Sequence, residues 1–162
     1  MSETFTTMPS PVGELLLTGE GGQLTGLYLP SDRYARHAAA HPGTAPRDDA
    51  AFTAVRRQLE EYFARERSSF DLSLAPAGTP FQQSVWAELQ RVGYGTTITY
   101  AALATHIGRP TAIRAAGAAN GANPVSIVIP CHRVVGSNGS LTGYGGGLEA
   151  KRFLLDLERA GA

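Results

Sequence analysis

Cys131 is the one cysteine among 162 residues, and its neighbours make it a candidate nucleophile. It lies in Pro130-Cys131-His132-Arg133-Val134-Val135, between a rigid proline and an imidazole, with a guanidinium two residues on. A nearby base and a cation favour the thiolate, the form that attacks. The competing reading is a small buried hydrophobe, the commonest fate of a lone cysteine. In extended backbone the side chains of Cys131 and His132 point apart, so a proton passing between them needs a relay such as a bound water. A third group should orient the imidazole. Glu158 is the candidate, on a terminal helix expected from Leu148 to Ala160, where it shares a face with Leu154 and Leu155. A carboxylate on an apolar face requires a partner; the alternative is a solvated residue at a helix end.

The segments on either side of the cysteine must position it. Val125 to Ile129 is a short apolar run, read as a buried extended segment that delivers Cys131. Gly136 to Gly147 follows, a glycine-rich loop of the kind whose backbone approaches a ligand closely. It matches neither a phosphate-binding loop nor a dinucleotide fingerprint, so no nucleotide cofactor is indicated.

Upstream, Thr79, Pro80 and Gln82 form a helix start of the capping-box type, with Phe81, Val85, Trp86 and Leu89 facing inward. Thr99 can cap a second helix, Tyr100 to Ile107, which Gly108 stops; Pro110 opens a third, Thr111 to Asn120. Two short helices joined by a tight glycine-containing turn are a helix-turn-helix signal. The third helix is nearly bare, with five alanines and Gly117 between Ala112 and Ala119 and Arg114 as its long side chain. Two readings stay open. Small residues permit close packing against a neighbouring helix, or they let a helix backbone approach a nucleic-acid groove. A clothed helix is roughly 10–12 Å across and the minor groove about 6 Å wide.

Before Gly78 the pattern is mixed. Phe5 to Met8, Leu15 to Thr18 and Leu24 to Leu29 read as strands, with Glu20-Gly21-Gly22-Gln23 as a hairpin turn. Residues 30 to 48 read as a surface connection, and His37 and His41 within it lack further metal ligands nearby. Asp49 to about Arg65 has helical periodicity, and Phe70, Leu72 and Leu74 alternate as in a half-buried strand. Ala75-Pro76-Ala77-Gly78 marks a boundary between domains at 1–77 and 78–162.

Composition narrows the class. With 43% hydrophobic and 17% charged residues the chain is globular. No apolar run reaches the length of a membrane span and the start lacks a leader's layout, so a cytoplasmic protein is expected. A single cysteine excludes an internal disulfide and a multi-cysteine zinc site. Net charge is zero, yet residues from Gly78 onward carry seven basic and four acidic side chains, against seven and ten before it. No acidic residue occurs between Glu88 and Glu149, so a polyanion meets no repulsion there. Lys151, the only lysine, reads as a product of composition.

Asn123-Pro124, Ile129-Pro130-Cys131-His132-Arg133-Val134 and Gly143-Tyr144-Gly145-Gly146-Gly147 together resemble the O6-alkylguanine-DNA alkyltransferase family, the methylated-DNA–protein-cysteine methyltransferases. The resemblance runs from Gly78-Thr79-Pro80-Phe81-Gln82-Gln83 to Glu158; earlier residues agree only in layout. It implies an α+β fold, with a small N-terminal α/β, ribonuclease-H-like sheet domain and a C-terminal helical, winged helix-turn-helix domain carrying the cysteine. The implied activity is DNA repair: an O6-alkylguanine, or an O4-alkylthymine, is flipped from the duplex and its alkyl group passes irreversibly to Cys131 in a single turnover. The resemblance gives Glu158, His132 and a water the task of deprotonating Cys131, and Asn123 the turn before it. Tyr100, Val134 (through its carbonyl, with that of Cys131), Tyr144 and Gly145 become substrate contacts. Arg114 fills the vacated stack, and Ala101, Arg109 and Ser137 meet the DNA backbone from the minor-groove side. No cofactor is implied, and a monomer is expected.

Three departures and absences qualify the likeness. Gly145 stands where some relatives carry serine, leaving only a backbone N–H for O6. Ser126 replaces a second proline, which points to a wider pocket. The cysteines of the zinc-binding domain attached to some relatives are missing here. Two other classes fit the same residues: a cysteine hydrolase using Cys131, His132 and Glu158 over many turnovers, and a DNA-binding regulator with an inert buried cysteine.

Overall fold

Gly21 and Gly22 both take positive φ, 60° and 82°, as a two-residue hairpin turn with right-handed strand twist requires. They join strands β2 (Leu15–Glu20) and β3 (Gln23–Tyr28); β1 (Thr4–Met8) pairs with the other side of β2. The sheet is antiparallel throughout, in the order β1-β2-β3, with Thr6 opposite Leu17, Leu17 opposite Leu27, and a bulge between Thr18 and Gly19. A computed structural model describes residues 2–30, 45–141, 144 and 147–161 of the chain. The histidines at 37 and 41 lie outside the described residues.

Asp48 caps a 3-10 turn, Asp49–Phe52, that leads into α1 (Thr53–Phe63), whose buried Val55, Leu59 and Tyr62 recur at helical spacing. Both sheet edges are closed by single-residue bridges rather than by strands. Arg47 bridges Phe5 on the β1 side; Leu74 bridges Leu24 and Val125 bridges Leu27 on the β3 side. The strand expected over Phe70 to Leu74 therefore reduces to one residue. Its alternation of half-buried and exposed side chains is present, but the backbone pairs only where Leu24 N–H donates to Ser73 O and Ala75 N–H to Leu24 O.

The second half is helical. Helix α2 (Pro80–Leu89) starts with the reciprocal Thr79–Gln82 capping box and buries Val85, Trp86 and Leu89. Trp86 donates its indole N–H to Ala119 O at 2.8 Å, fixing α2 against α4 (Ile113–Gly121). Between them, β4 (Ile98–Thr99) runs parallel to β5 (Val134–Val135), and Thr99 caps α3 (Tyr100–His106). The α3–α4 pair is the helix-turn-helix, its second helix starting later than the sequence pattern implies. Helix α5 (Leu148–Gly161) closes the chain, and buried residues of both halves form one continuous core. Among the described residues no helix is long and apolar enough to cross a membrane.

Helices α1 and α3 end in the same way, with a residue in left-handed backbone followed by paired i→i+3 and i→i+5 hydrogen bonds. At α3 that residue is Gly108 (φ 76°), with Gly108 N–H on Thr105 O and Arg109 N–H on Ala104 O. At α1 it is exposed Arg65 (φ 61°), with Arg65 N–H on Tyr62 O and Glu66 N–H on Glu61 O. A side chain in this conformation costs about 1 kcal/mol relative to glycine. Gly108→Ala should destabilise by about that amount, and Arg65→Gly should stabilise by about the same. Urea midpoints shifting in opposite directions at constant slope check the pair.

Candidate active site

The cysteine is delivered by turns, not by the extended segment that its apolar run suggests. Val125 makes the bridge to β3, with Leu27 N–H donating to Pro124 O (2.8 Å) and Ser126 N–H to Leu27 O (3.1 Å). The chain then reverses: Val128 N–H reaches Ser126 O across Ile127, which adopts φ 73°, and Ile129 N–H reaches Val125 O. A β-branched residue at positive φ costs roughly 1–2 kcal/mol. Complete burial of the Ile127 side chain, about 1.5–3 kcal/mol, offsets it. Pro130, at φ −80° and ψ 65°, forms an inverse γ-turn in which Cys131 N–H donates to Ile129 O at 2.8 Å. Short i→i+2 and i→i+4 contacts spend the run's hydrogen bonds locally, which hydropathy alone does not reveal.

Asn123 holds this arrangement from its centre. Fully buried, it accepts from Val125 N–H (3.0 Å) through Oδ1, while Nδ2 donates to Ile129 O (2.8 Å) and Val125 O (3.4 Å).

Cys131, His132 and Arg133 form a buried 3-10 turn. Glu158, 1% exposed, reaches it from α5 and is the hub of the site. Its Oε2 lies 2.7 Å from His132 Nε2, 2.6 Å from the Tyr62 hydroxyl and 2.9 Å from Arg133 Nη2, while Oε1 accepts from Arg133 Nε at 2.8 Å. Arg133 Nη1 completes the network by donating to Val92 O at 2.6 Å. Burial pushes the Glu158 carboxyl upward, but donors from His132 and Arg133 outweigh it and hold it at about 2, from an ordinary 4.5. Burial, aided by the charges of Arg133 and Lys151, pushes His132 down against the pull of Glu158, so the ring is neutral at pH 7. Burial, then Glu158, pushes the Tyr62 phenol up, so it stays protonated and donates.

These directions fix the tautomer. An ionised carboxylate only accepts, so His132 Nε2 carries the hydrogen and Nδ1 is a bare acceptor. Nδ1 is buried and has no hydrogen-bond partner among the described residues. Among the described residues no hydrogen bond joins the thiol to the imidazole. The Arg133 guanidinium, expected beside the thiol, hydrogen-bonds Glu158 and Val92 O.

Three contributors escaped the sequence reading. Lys151, read above as compositional, is completely buried; its Nζ donates to Val134 O at 2.6 Å and lies 6.0 Å from the Tyr100 ring centre. Asn120 Nδ2 donates to Cys131 O at 3.3 Å, while its Oδ1 finds no partner among the described residues. Tyr62 comes from the other half of the chain. A burial-periodic tyrosine and an i, i+3 pair on α5 (Lys151 with Leu154) were the available signals, and both read equally well as packing. The Val134 carbonyl therefore already accepts from Lys151, and the Cys131 carbonyl from both Asn120 Nδ2 and the Val134 N–H.

Tyr100 is half-buried at the start of α3, with Gly117 of α4 facing its ring. Ala101, Arg109, Arg114 and Ser137 are exposed, and so is Ile113 (42%), a second long side chain on the otherwise bare α4. Tyr144 is buried; Gly145 lies outside the described residues. No group of three metal-ligating side chains occurs among the described residues.

Two family models match the chain: the ribonuclease-like domain of 6-O-methylguanine DNA methyltransferase over residues 4–76, and its DNA-binding domain over 80–160. The methylated-DNA–protein-cysteine methyltransferase of Methanosarcina acetivorans is 46% identical over 154 residues, 95% of this chain and 97% of its own. That of Mycobacterium bovis is 45% identical over 161 residues, 98% and 93% of the two chains. The chain belongs to the methylated-DNA–protein-cysteine methyltransferase family. The activity that goes with this family is DNA repair by alkyl transfer to a protein cysteine, and the fold agrees. The crystal structure of Mycobacterium tuberculosis OGT in complex with DNA superposes with a TM-score of 0.89 at 44% identity, covering 98% of this chain and 94% of that one. A methyltransferase from Methanococcus jannaschii superposes at 0.66 with 28% identity, over 95% and 93% of the chains.

The hub also sets acid stability. Glu158 has a folded pKa below its unfolded value, so its contribution is fully present above about 4.5 and is lost as pH falls toward about 2. His132 is lowered as well, and the unfolded chain takes up its proton first as pH drops below the usual histidine range. Glu158→Gln should cost about 3 kcal/mol at pH 7, as loss of one partner of a buried pair does. The gap from the parent should narrow below pH 4.5, read from denaturation midpoints across pH.

Proposed function

We propose that this chain repairs alkylated duplex DNA by taking the O6-alkyl group of an extruded guanine onto Cys131, once per molecule. The observation that carries the reading is the His132 ring. Its Nε2–H is clamped to an ionised Glu158, and its buried Nδ1 stands ready to accept a proton one residue from the only thiol. A water between Sγ and Nδ1 passes the thiol proton to the imidazole. The thiolate then attacks the alkyl carbon: the S–C bond forms as the C–O6 bond breaks, and the electron pair leaves on the guanine. The guanine regains a proton, and the thioether, which has no leaving group for water to displace, ends the cycle.

Binding follows from the exposed residues around this centre. The nearly bare α4 enters the minor groove, with Arg114 replacing the extruded base in the stack; Ala101, Arg109 and Ser137 approach the backbone. Tyr100, the Cys131 and Val134 carbonyls, Tyr144 and Gly145 surround the base. The solved complex of the Mycobacterium tuberculosis relative supports DNA as the partner. The protein acts as a monomer in the cytoplasm, where a reducing thiol pool keeps Cys131 free until it meets damage.

A duplex bearing O6-[14C]methylguanine tests the reading. One equivalent of label should appear on Cys131 and none on Cys131→Ala; repeated turnover or an unlabelled cysteine would overturn it. Arg114→Ala, on an exposed position, should slow transfer at least tenfold while leaving the melting temperature within about 1 °C. Transfer rates measured beside thermal melts separate the two.

A further inference from the structure

We propose that Tyr62 is a positioning residue for alkyl transfer, its hydroxyl reaching from α1 across the junction of the two halves to fix Glu158 and, through it, the proton on His132. The inference rests on the reading of Cys131, His132 and Glu158 given above. Tyr62 is completely buried, and it donates at 2.6 Å to the oxygen, Oε2, that also receives His132 Nε2. Three aromatic rings pack around it. Phe63, Phe70 and Tyr94 surround it with centroids at 5.3, 5.4 and 6.3 Å, two of them edge-on. Within these rings the hydroxyl is directed at a carboxylate 96 residues away in sequence.

The hydroxyl has two consequences for the reaction. Glu158 is needed as an anion that only accepts, since this keeps Nδ1 of His132 bare. A neutral donor on Oε2 stabilises that anion without adding charge. It also draws electron density from the oxygen facing His132, which weakens the pull of Glu158 on a protonated imidazole. Tyr62 therefore keeps His132 in the neutral, proton-accepting state to lower pH. The other titratable or charged groups around the hub are Arg133 and His132 on the 3-10 turn, Tyr94 after α2, Tyr144 before α5 and Lys151 on α5. Arg133 is locked by its own contacts with Val92 O and Glu158, so it does not move to replace a lost hydroxyl.

A single-turnover reaction separates reactivity from folding. Its endpoint counts competent molecules, while its rate constant reads the chemistry. Tyr62→Phe should still transfer one equivalent from O6-methylguanine duplex and bind unmodified duplex with unchanged affinity. The acid limb of its rate–pH profile should move up by about half a unit or more, because loss of the donor raises the basicity of His132. At a pH on that limb this reads as a threefold or greater loss of rate. A purely structural role predicts the opposite pattern, a reduced endpoint with an unshifted profile, and would overturn the inference. If Tyr62→Phe does not accumulate as folded protein, 3-fluorotyrosine at position 62 preserves shape and donates more strongly. The limb should then move down, and an unmoved limb rejects the proposal. Cys131→Ala in the same assay keeps the two questions apart. Residual transfer there rejects Cys131 as the acceptor, whereas complete loss with an unshifted Tyr62 profile rejects only the role of Tyr62.

Discussion

A carboxylate with almost no access to water, satisfied by four donors from two other elements, is the constraint around which this molecule is organised. Stranded without partners, Glu158 would cost several kcal/mol. Tyr62, His132 and Arg133 must therefore converge on it whenever the chain is folded, and α1, the cysteine turn and α5 must dock together. The same set of contacts fixes a proton: an acceptor-only carboxylate leaves His132 one tautomer, in which the buried Nδ1 is a bare acceptor. Stability and reactivity are thus two readings of one network.

The second coupling between the halves is made of backbone. The exposed edge of β3 is not left open but is closed by Val125, at the start of the turns that end in Cys131. A sheet edge is a fixed row of donors and acceptors, so it sets the position of Pro124 to Ser126 to within a hydrogen-bond length. Asn123 then carries that placement to Ile129. The N-terminal half contributes no residue to the proposed DNA-facing surface, yet it braces the cysteine segment at one end through Leu27 and Glu158 at the other through Tyr62.

The three N-terminal strands, the hairpin, the capping box, the helix-turn-helix and the terminal helix were legible because each depends on neighbours in sequence: glycines at positive φ, Thr79 three residues before Gln82, apolar residues at period 2 or 3.6. Cys131, His132 and Glu158 were legible as chemistry, since a thiol beside an imidazole and a carboxylate on an apolar stripe are costly without a purpose. Where the reading failed, the deciding contact was distant or the conformation was locally unusual. By sequence Arg133 is a neighbour of the thiol; in the fold it pairs with Glu158. Lys151 looked compositional until Val134 O and Tyr100 surrounded it. Val125 to Ile129 has a strand's hydropathy but a turn's backbone, because Asn123 satisfies carbonyls that a strand would have offered to a neighbour.

The amino-acid order alone determined which groups could react, where the helices and the three N-terminal strands would form, and that a polyanion would meet no acidic residue between Glu88 and Glu149. Those properties follow from side-chain chemistry and short-range sterics, and both are written locally. Only the tertiary structure decided where each proton resides, that Tyr62 shares an oxygen with His132, and that the edge of β3 holds the cysteine turn. Those depend on burial and on distances of 2.6–3.1 Å between residues far apart in the chain. Electrostatics in a low-dielectric interior is set by such distances, and no local pattern encodes them.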